Sequence, residues 1–287
     1  MLDGVTIIQA DFADTLARVR DMGGADLILT SPPYADARTY GAGVSWTMAD
    51  YQRLGDAIKP ALKPGGHCLM VLDAPVREWR PGYGTERGFL PWQVMLDWAE
   101  RVGLRVPDRL AYGRMGQVGA FSGRFRNDWE PLLWFQRPGL RGYFQALVER
   151  GKTGPYIATG GGTREQDGTY VRQGRAGEMA EQGLRYRGTL WYYTMCGAIQ
   201  GEQGHPATYA LRFAEDAVRC FCTPGGLVCD PFTGSGTSAV AAAKHGRRFF
   251  GGDLLVRPSD GKPWAQVALE RAIEATRQQT LPLGGAA

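Results

Sequence analysis

Leu227-Val228-Cys229-Asp230-Pro231-Phe232-Thr233-Gly234-Ser235-Gly236-Thr237-Ser238-Ala239-Val240-Ala241-Ala242-Ala243 is the stretch on which the fold turns. Leu227–Cys229 is an apolar run after a Gly225-Gly226 turn and fits a buried strand. Ser238–His245 is Ala-rich and fits a helix. Between them, Gly234 and Gly236 let the backbone turn tightly and come close to a ligand. The helix start supplies amide donors that have no partner within the helix. The next strand, Arg248–Asp253, ends on a carboxylate 23 residues after Asp230, where nucleotide-binding folds meet ribose hydroxyls. The expected ligand contains a nucleoside. Three other readings stand beside this one. A dinucleotide site needs G-x-G-x-x-G, and here Ala239 holds the third glycine's place, which some such sites accept. A phosphate-binding P-loop needs Gly-Lys-Ser/Thr, which is absent. The third is a purely structural turn.

The chain upstream alternates in the same way. Val5–Ile8 and Ala25–Leu29 read as strands, with a helix over Asp14–Arg20 between them. Met48–Leu62 is amphipathic, with Met48, Tyr51, Leu54, Ile58 and Leu62 at helical spacing. Lys63-Pro64-Gly65-Gly66 reads as a turn and His67–Leu72 as a buried strand. A helix over Trp92–Val102, a strand near Arg109–Tyr112 and a strand over Pro131–Phe135 follow. A Gly- and Arg-rich loop, Tyr112–Asn127, lies between those two strands, and loops of that length in compact domains are usually functional. After residue 187 the pattern resumes, with helices over Thr208–Cys222 and Ala265–Gln278 and a loose tail over Leu281–Ala287. The expected architecture is α/β: a Rossmann-like, mainly parallel sheet with helices on both faces, plus a small irregular insert.

A second loop, Thr30-Ser31-Pro32-Pro33-Tyr34, follows the strand over Ala25–Leu29. Two prolines fix the backbone and remove two amide donors, which leaves nearby carbonyls free to accept. With the Ser31 oxygen and the flat ring of Tyr34, such a loop can hold an exocyclic amino group. The alternative is a polyproline turn with a core tyrosine.

Composition bounds the function. The 287 residues are 44% hydrophobic, enough for a proper core, and fit one large domain or one plus an insert. No apolar run approaches the ~18–20 residues that span a bilayer, and the first residues do not read as a signal peptide. Five cysteines without zinc spacing and only three histidines make a metal site unexpected and fit reduced thiols in a cytoplasmic protein. The net charge of +4 is localised: residues 137–187 hold nine basic and five acidic residues, and the remainder holds 24 of each. The same segment holds eleven glycines, together with Tyr143, Phe144, Tyr156, Tyr170 and Tyr186. Basic side chains, aromatics and flexible backbone suit a polyanion. A solvated loop-rich insert is the other reading.

Taken together, the two loops resemble those of the S-adenosylmethionine-dependent DNA amino-methyltransferases, which methylate adenine N6 or cytosine N4. The order of catalytic loop, insert and cofactor loop resembles the permuted beta class. The resemblance runs from about Val5 to Asp253, except for the insert. It implies a catalytic and cofactor-binding domain over 1–136 and 188–287 and a target-recognition insert over 137–187. Ser31, Pro32, Pro33 and Tyr34 would be catalytic. Asp230, Phe232, Gly234, Ser235, Gly236, Thr237 and Asp253 would bind S-adenosylmethionine, with Asp11 beside its adenine and Phe12 packed on that ring. His205-Pro206-Ala207-Thr208-Tyr209 resembles the motif lining the methionine end, which adds Thr208; the family often has proline where this chain has Ala210. Trp129–Phe135 resembles the strand after the flexible loop over the target base. Arg124, Arg126, Arg141, Lys152, Arg164, Arg172 and Arg175 would contact duplex DNA.

The resemblance also implies a mechanism. Ser31 Oγ and the Pro32 carbonyl accept hydrogen bonds from the amino group of a flipped base, Tyr34 stacks on that base, and transfer is direct and in line. Cytosine-C5 enzymes need a Pro-Cys pair, and none occurs. Ser31, rather than an acidic residue or Asn, leans the acceptor toward cytosine N4. Alternatives are an RNA or protein-glutamine methyltransferase and an inactive DNA-binding regulator. A homodimer, and a restriction-modification role with a cognate endonuclease or as an orphan enzyme, are family expectations.

Overall fold

The structure, a computed structural model, describes residues 4–34, 46–74, 76–78, 85–115, 125, 127–150, 163–164, 170–171, 184–194 and 209–280. The strands are β1 (Val5–Ile8), β2 (Ala25–Thr30), β3 (Leu62–Val71), β4 (Val76–Glu78), β5 (Thr85–Arg87), β6 (Arg109–Met115), β7 (Trp129–Gln136), β8 (Val148–Arg150), β9 (Thr163–Arg164), β10 (Tyr170–Val171), β11 (Leu184–Tyr186), β12 (Leu190–Thr194), β13 (Leu227–Asp230) and β14 (Arg248–Gly252). The helices are α1 (Phe12–Asp21), α2 (Met48–Ala61), α3 (Leu90–Glu100), α4 (Leu211–Phe221), α5 (Thr237–Lys244) and α6 (Trp264–Thr280). Among the described residues no helix is long and apolar enough to cross a membrane.

Eight strands form one sheet in the order β1-β14-β13-β2-β3-β7-β6-β12. Only β7 runs against the others, pairing antiparallel with both β3 and β6. The central strands β2, β3 and β13 are buried on both faces, as their near-continuous apolar runs require, whereas the edge strand β12 leaves Leu190 and Tyr192 exposed. Alternation along β3 separates the faces. Cys68, Met70 and Leu72 join Tyr51, Leu54, Ile58, Val94 and Trp98 in the core under α2 and α3. His67, on the other face, packs against Phe221 of α4.

The expected elements recur; β4, β5 and β8–β11 are additional short strands, and four further differences fall in the main sheet and its helices. The turn expected at Lys63–Gly66 lies inside β3, where the register jumps from Ala25↔Leu62 to Leu27↔His67. The extra residues bulge, with Gly65 at φ 81°, and the chain after β7 captures them: Gly65 N donates to Arg137 O and Arg137 N to Gly66 O. The strand near Arg109 continues to Met115. α4 starts at Leu211 rather than Thr208, because Ala210 is its N-cap and donates its own N–H to the Tyr112 hydroxyl at 3.0 Å. Finally, β12 was not expected. It adds a parallel edge strand beside β6.

The chain divides into two compact units, residues 1–144 with 190–287, and residues 145–189. Residues 137–144, expected in the insert, belong to the first. His67 Nε2 meets the Tyr143 carbonyl at 2.9 Å, and Phe144 stacks on Trp134. The second unit contains the antiparallel pairs β8–β11 and β9–β10. In it Glu149 accepts from both Arg185 and Arg187.

Candidate active site

Four neighbouring parallel strands, β1, β14, β13 and β2, end on the same edge of the sheet, the edge where α/β folds bind ligands. Their continuations carry Asp11, Asp253, the loop from Asp230 to Thr237, and Ser31. All of these except Gly236 of the loop line one cavity of about 270 Å³.

Asp230, 2% exposed, is the hub. Its Oδ1 accepts from Thr30 Oγ1 at 2.8 Å and Phe232 N at 3.0 Å. Its Oδ2 accepts from Ser238 Oγ at 2.6 Å and the Tyr209 hydroxyl at 3.3 Å. A carboxylate offers about four acceptor positions, so the protein fills them all. Burial pushes its pKa up to about 6, against the lowering effect of these donors. Asp230 therefore shapes the cofactor loop and sets its charge; it has no acceptor left for a ligand.

Asp253 is different. Its Oδ2 accepts from Gly234 N at 2.8 Å and its Oδ1 from Leu255 N at 2.9 Å, one donor on each oxygen. About two acceptor positions remain on a carboxylate that lines the cavity. Burial raises its pKa, opposed by the two amides. Asp11 caps α1, its Oδ1 accepting from Asp14 N at 2.9 Å, and its second oxygen has no donor among the described residues.

The glycines serve packing as well as turning. Gly236 has φ 84°, and a Cβ there would lie 2.8 Å from Ala268 Cα of α6. This glycine thus seats the loop on α6. One Arg271 guanidinium nitrogen from α6 reaches Ser235 O, Ser235 Oγ and Thr237 Oγ1 at 3.1–3.2 Å. Burial lowers the Arg271 pKa, and its bonds fix the loop from behind. Gly252, at the end of β14, has no room for a Cβ, which would fall 2.0 Å from Thr15 Oγ1 of α1.

An aromatic wall closes one side. Phe12 lies 5.6 Å from Trp46 and 5.8 Å from Phe232, and Trp46 lies 5.3 Å from Phe232. The Arg53 guanidinium sits 5.6 Å over the Phe12 ring. Arg53 is the cation and Asp11, Asp230 and Asp253 are the carboxylates among the lining residues. The cavity therefore favours a ligand carrying positive charge.

In the second loop Ser31 and Pro33 line the cavity. The Tyr51 hydroxyl donates to the Pro33 carbonyl at 2.6 Å. No donor reaches the Pro32 carbonyl among the described residues. Tyr34, expected as a stacking face, is only 6% exposed, and its hydroxyl donates to Glu130 Oε2 at 3.2 Å. The ring anchors the loop in the core rather than standing free. Beyond it Asp73, buried after β3, is held by Arg87 and Asn127.

The structure thus brings together Asp11, Phe12, Ser31, Pro33, Asp230, Phe232, Gly234, Ser235, Thr237 and Asp253 around one cavity. Pro32, Tyr34 and Gly236 stand behind it. Arg141 does not belong to this edge. It is exposed beside the Gly65 bulge, at the opposite end of β3. Thr208, Arg124, Arg126, Lys152, Arg172 and Arg175 lie outside the described residues, as does the tail over 281–287, and Arg164 is described only as backbone in β9. Sequence reasoning did not single out Trp46, Arg53, Glu130 or Arg271. Tyr209, directly after Thr208 in one quoted motif, and Glu130, inside the quoted stretch Trp129–Phe135, carried the available signals.

The model of a DNA methylase family matches residues 25–255, which is most of the chain. The orphan methyltransferase M.BamHII of Bacillus amyloliquefaciens is 26% identical over 258 residues, covering 86% of this chain and 88% of that protein. A putative DNA modification methylase from Thermus thermophilus, solved with S-adenosyl-L-methionine, superposes with a TM-score of 0.58 at 20% identity, covering 94% of this chain and 93% of that one. The PvuII DNA methyltransferase, cytosine-N4-specific, superposes with a TM-score of 0.59 at 14% identity, covering 100% of this chain and 89% of that one.

Proposed function

Because the chain belongs to the N6/N4 DNA methylase family, we propose that it transfers a methyl group from S-adenosylmethionine to the exocyclic amino group of a flipped base in duplex DNA, leaning toward cytosine N4 over adenine N6 on the strength of Ser31. The observation that carries this reading is that Ser31 and the cofactor loop open onto one cavity. An acceptor loop and a donor site must share a space if transfer is to be direct.

The residues fit the cofactor. Phe12, Phe232 and Trp46 give a purine an aromatic surface. Asp11 has an oxygen for its amino edge, and Asp253 has acceptor positions for ribose hydroxyls. The three carboxylates suit a cation. When bound, S-adenosylmethionine supplies an electrophilic methyl group on a sulfonium. The protein's part is positional. Ser31 Oγ and the Pro32 carbonyl accept from the amino group, favouring a nitrogen whose lone pair points into the cavity. Tyr51 and Tyr34 hold that loop in place.

The unit over residues 145–189, with seven basic and five acidic residues, is assigned to reading DNA, and the remainder of the chain to chemistry. Buried free thiols at Cys68, Cys220, Cys222 and Cys229 accord with a cytoplasmic setting. We place the enzyme there as a homodimer, in restriction-modification or as an orphan. The family match offers no support to an RNA or protein substrate, or to an inactive regulator. Modification-aware sequencing of DNA from cells expressing the protein tests the proposal. It predicts one methylated amino base at a fixed sequence, and unmodified DNA opposes it.

A further inference from the structure

Tyr209 lines the cavity, and the function proposed above gives it no part. Four of the lining side chains are aromatic. Three of them, Phe12, Trp46 and Phe232, stand 5.3–5.8 Å from one another and form the wall assigned to the purine. Tyr209 is held elsewhere. Its ring meets Phe213 of α4 in a T-shaped contact at 5.3 Å, and its hydroxyl donates to Asp230 Oδ2 at 3.3 Å. The next amide, Ala210 N, donates to the Tyr112 hydroxyl. Ring, hydroxyl and backbone are thus all pinned, and one flank of the side chain is left to the cavity.

Asp230 sets where that flank lies. Its Oδ1 accepts from Thr30 Oγ1 at 2.8 Å, and Thr30 directly precedes Ser31. One carboxylate therefore joins the Tyr209 phenol to the start of the acceptor loop. Direct transfer requires the reacting methyl group beside the amino group that Ser31 holds. Tyr209 is the lining ring whose side chain is tied to that end of the cavity.

A methylsulfonium is a bulky cation akin to the quaternary ammonium groups that aromatic faces bind. A phenol donating to a carboxylate has a more electron-rich ring, which strengthens this attraction. On transfer, the electron pair of the broken carbon–sulfur bond stays on sulfur, and the positive charge there is lost. The purine, the ribose and the amino-acid end are unchanged. We infer that the Tyr209 ring packs on the methylsulfonium and separates the cofactor from its demethylated product, holding the first and releasing the second. The purine wall and Asp253 face the same groups in both ligands and cannot make this distinction. Asp230 contributes through its charge alone, since its acceptor positions are filled. The inference deepens the reading of the cavity as an S-adenosylmethionine site and rests on it.

Binding calorimetry at about pH 8, where Asp230 with a pKa of about 6 stays ionised, tests it. The ligands are S-adenosylmethionine and its neutral product S-adenosylhomocysteine. Tyr209→Phe and Tyr209→Leu both remove the donor to Asp230, but only the second removes the ring. Compared with Tyr209→Phe, Tyr209→Leu should bind S-adenosylmethionine about fivefold more weakly and S-adenosylhomocysteine with the same Kd. An analogue with a protonated amine in place of the sulfonium should follow S-adenosylmethionine. Equal loss of all three ligands, or equal affinities in the two variants, overturns the inference. If Tyr209→Leu melts well below Tyr209→Phe, replacement of Tyr209 by difluorophenylalanine decides instead, because it keeps the shape of the ring and weakens its negative face. An S-adenosylmethionine Kd there equal to that of Tyr209→Phe overturns the inference. No binding of S-adenosylmethionine by the wild type would instead sink the cofactor reading on which it stands.

Discussion

Thr30 donates its hydroxyl to Asp230 at 2.8 Å, a bond between residues 200 positions apart. It joins the last residue of β2, where the acceptor loop begins, to the last residue of β13, where the cofactor loop begins. The two loops are therefore not independent. Thr30→Val keeps the shape and removes the donor, leaving a buried acceptor short of one bond. The expected cost is about 1–3 kcal/mol of stability, with a further upward shift of the Asp230 pKa. Chemical denaturation and cofactor calorimetry should show the stability loss and a severalfold weaker Kd together.

Asp253 and Asp230 both read as ligand carboxylates in the sequence, yet only Asp253 keeps acceptor positions. Asp253→Asn should weaken cofactor binding by about tenfold, the worth of roughly one good charged hydrogen bond, and, because one amide oxygen cannot accept from both Gly234 N and Leu255 N, should also cost about 1–3 kcal/mol of stability. Calorimetry separates the two quantities. An unchanged Kd would remove Asp253 from the ribose.

The charge of Asp230 predicts a pH dependence of cofactor binding. Its pKa is raised from 3.8 to about 6, so in the ligand-free protein ionising it costs stability as pH rises through that window. A cationic ligand favours the carboxylate and offsets this cost. Affinity should be full above pH 6 and fall as pH drops through 6, by up to about tenfold per unit for one group. A Kd constant through this window would contradict the electrostatic role.

His67 predicts an acid weakness of the fold itself. Trp134 Nε1 donates to its Nδ1, so Nε2 carries the proton and donates to the Tyr143 carbonyl. Burial lowers its pKa from 6.5 to about 4. As pH falls below 6.5 the unfolded chain takes up the proton first. Its contribution is therefore complete above 6.5 and lost on the way to 4, up to about 3 kcal/mol. Urea titrations across this range should show the loss, and His67→Gln should flatten it.

Much of this was legible because it is local. The β13 run, the glycines at 234 and 236 and the Ala-rich α5 follow one another in sequence, and each has a physical reason to do so. The same holds for β2 and the prolines after it. What stayed hidden depends on distant partners. Glu130 looks like one charge before an apolar strand until Tyr34 lies against it. Arg271 looks like a helix surface residue until α6 packs on the cofactor loop. Lys63–Gly66 has every sign of a turn, and becomes part of a bulged strand only because Arg137 bonds to it. Arg141 was counted with the insert by charge, although packing places it beside that bulge.

The central claim is that Ser31 and the cofactor loop together form a DNA amino-methylation site. The direct measurement is transfer of labelled methyl from S-adenosylmethionine to duplex DNA, with the modified nucleoside identified by mass spectrometry, for the wild type and Ser31→Ala. The account predicts label in N4-methylcytosine or N6-methyladenine, and a rate lower by about tenfold or more in Ser31→Ala. Label absent from duplex DNA, or equal in both proteins, would contradict it.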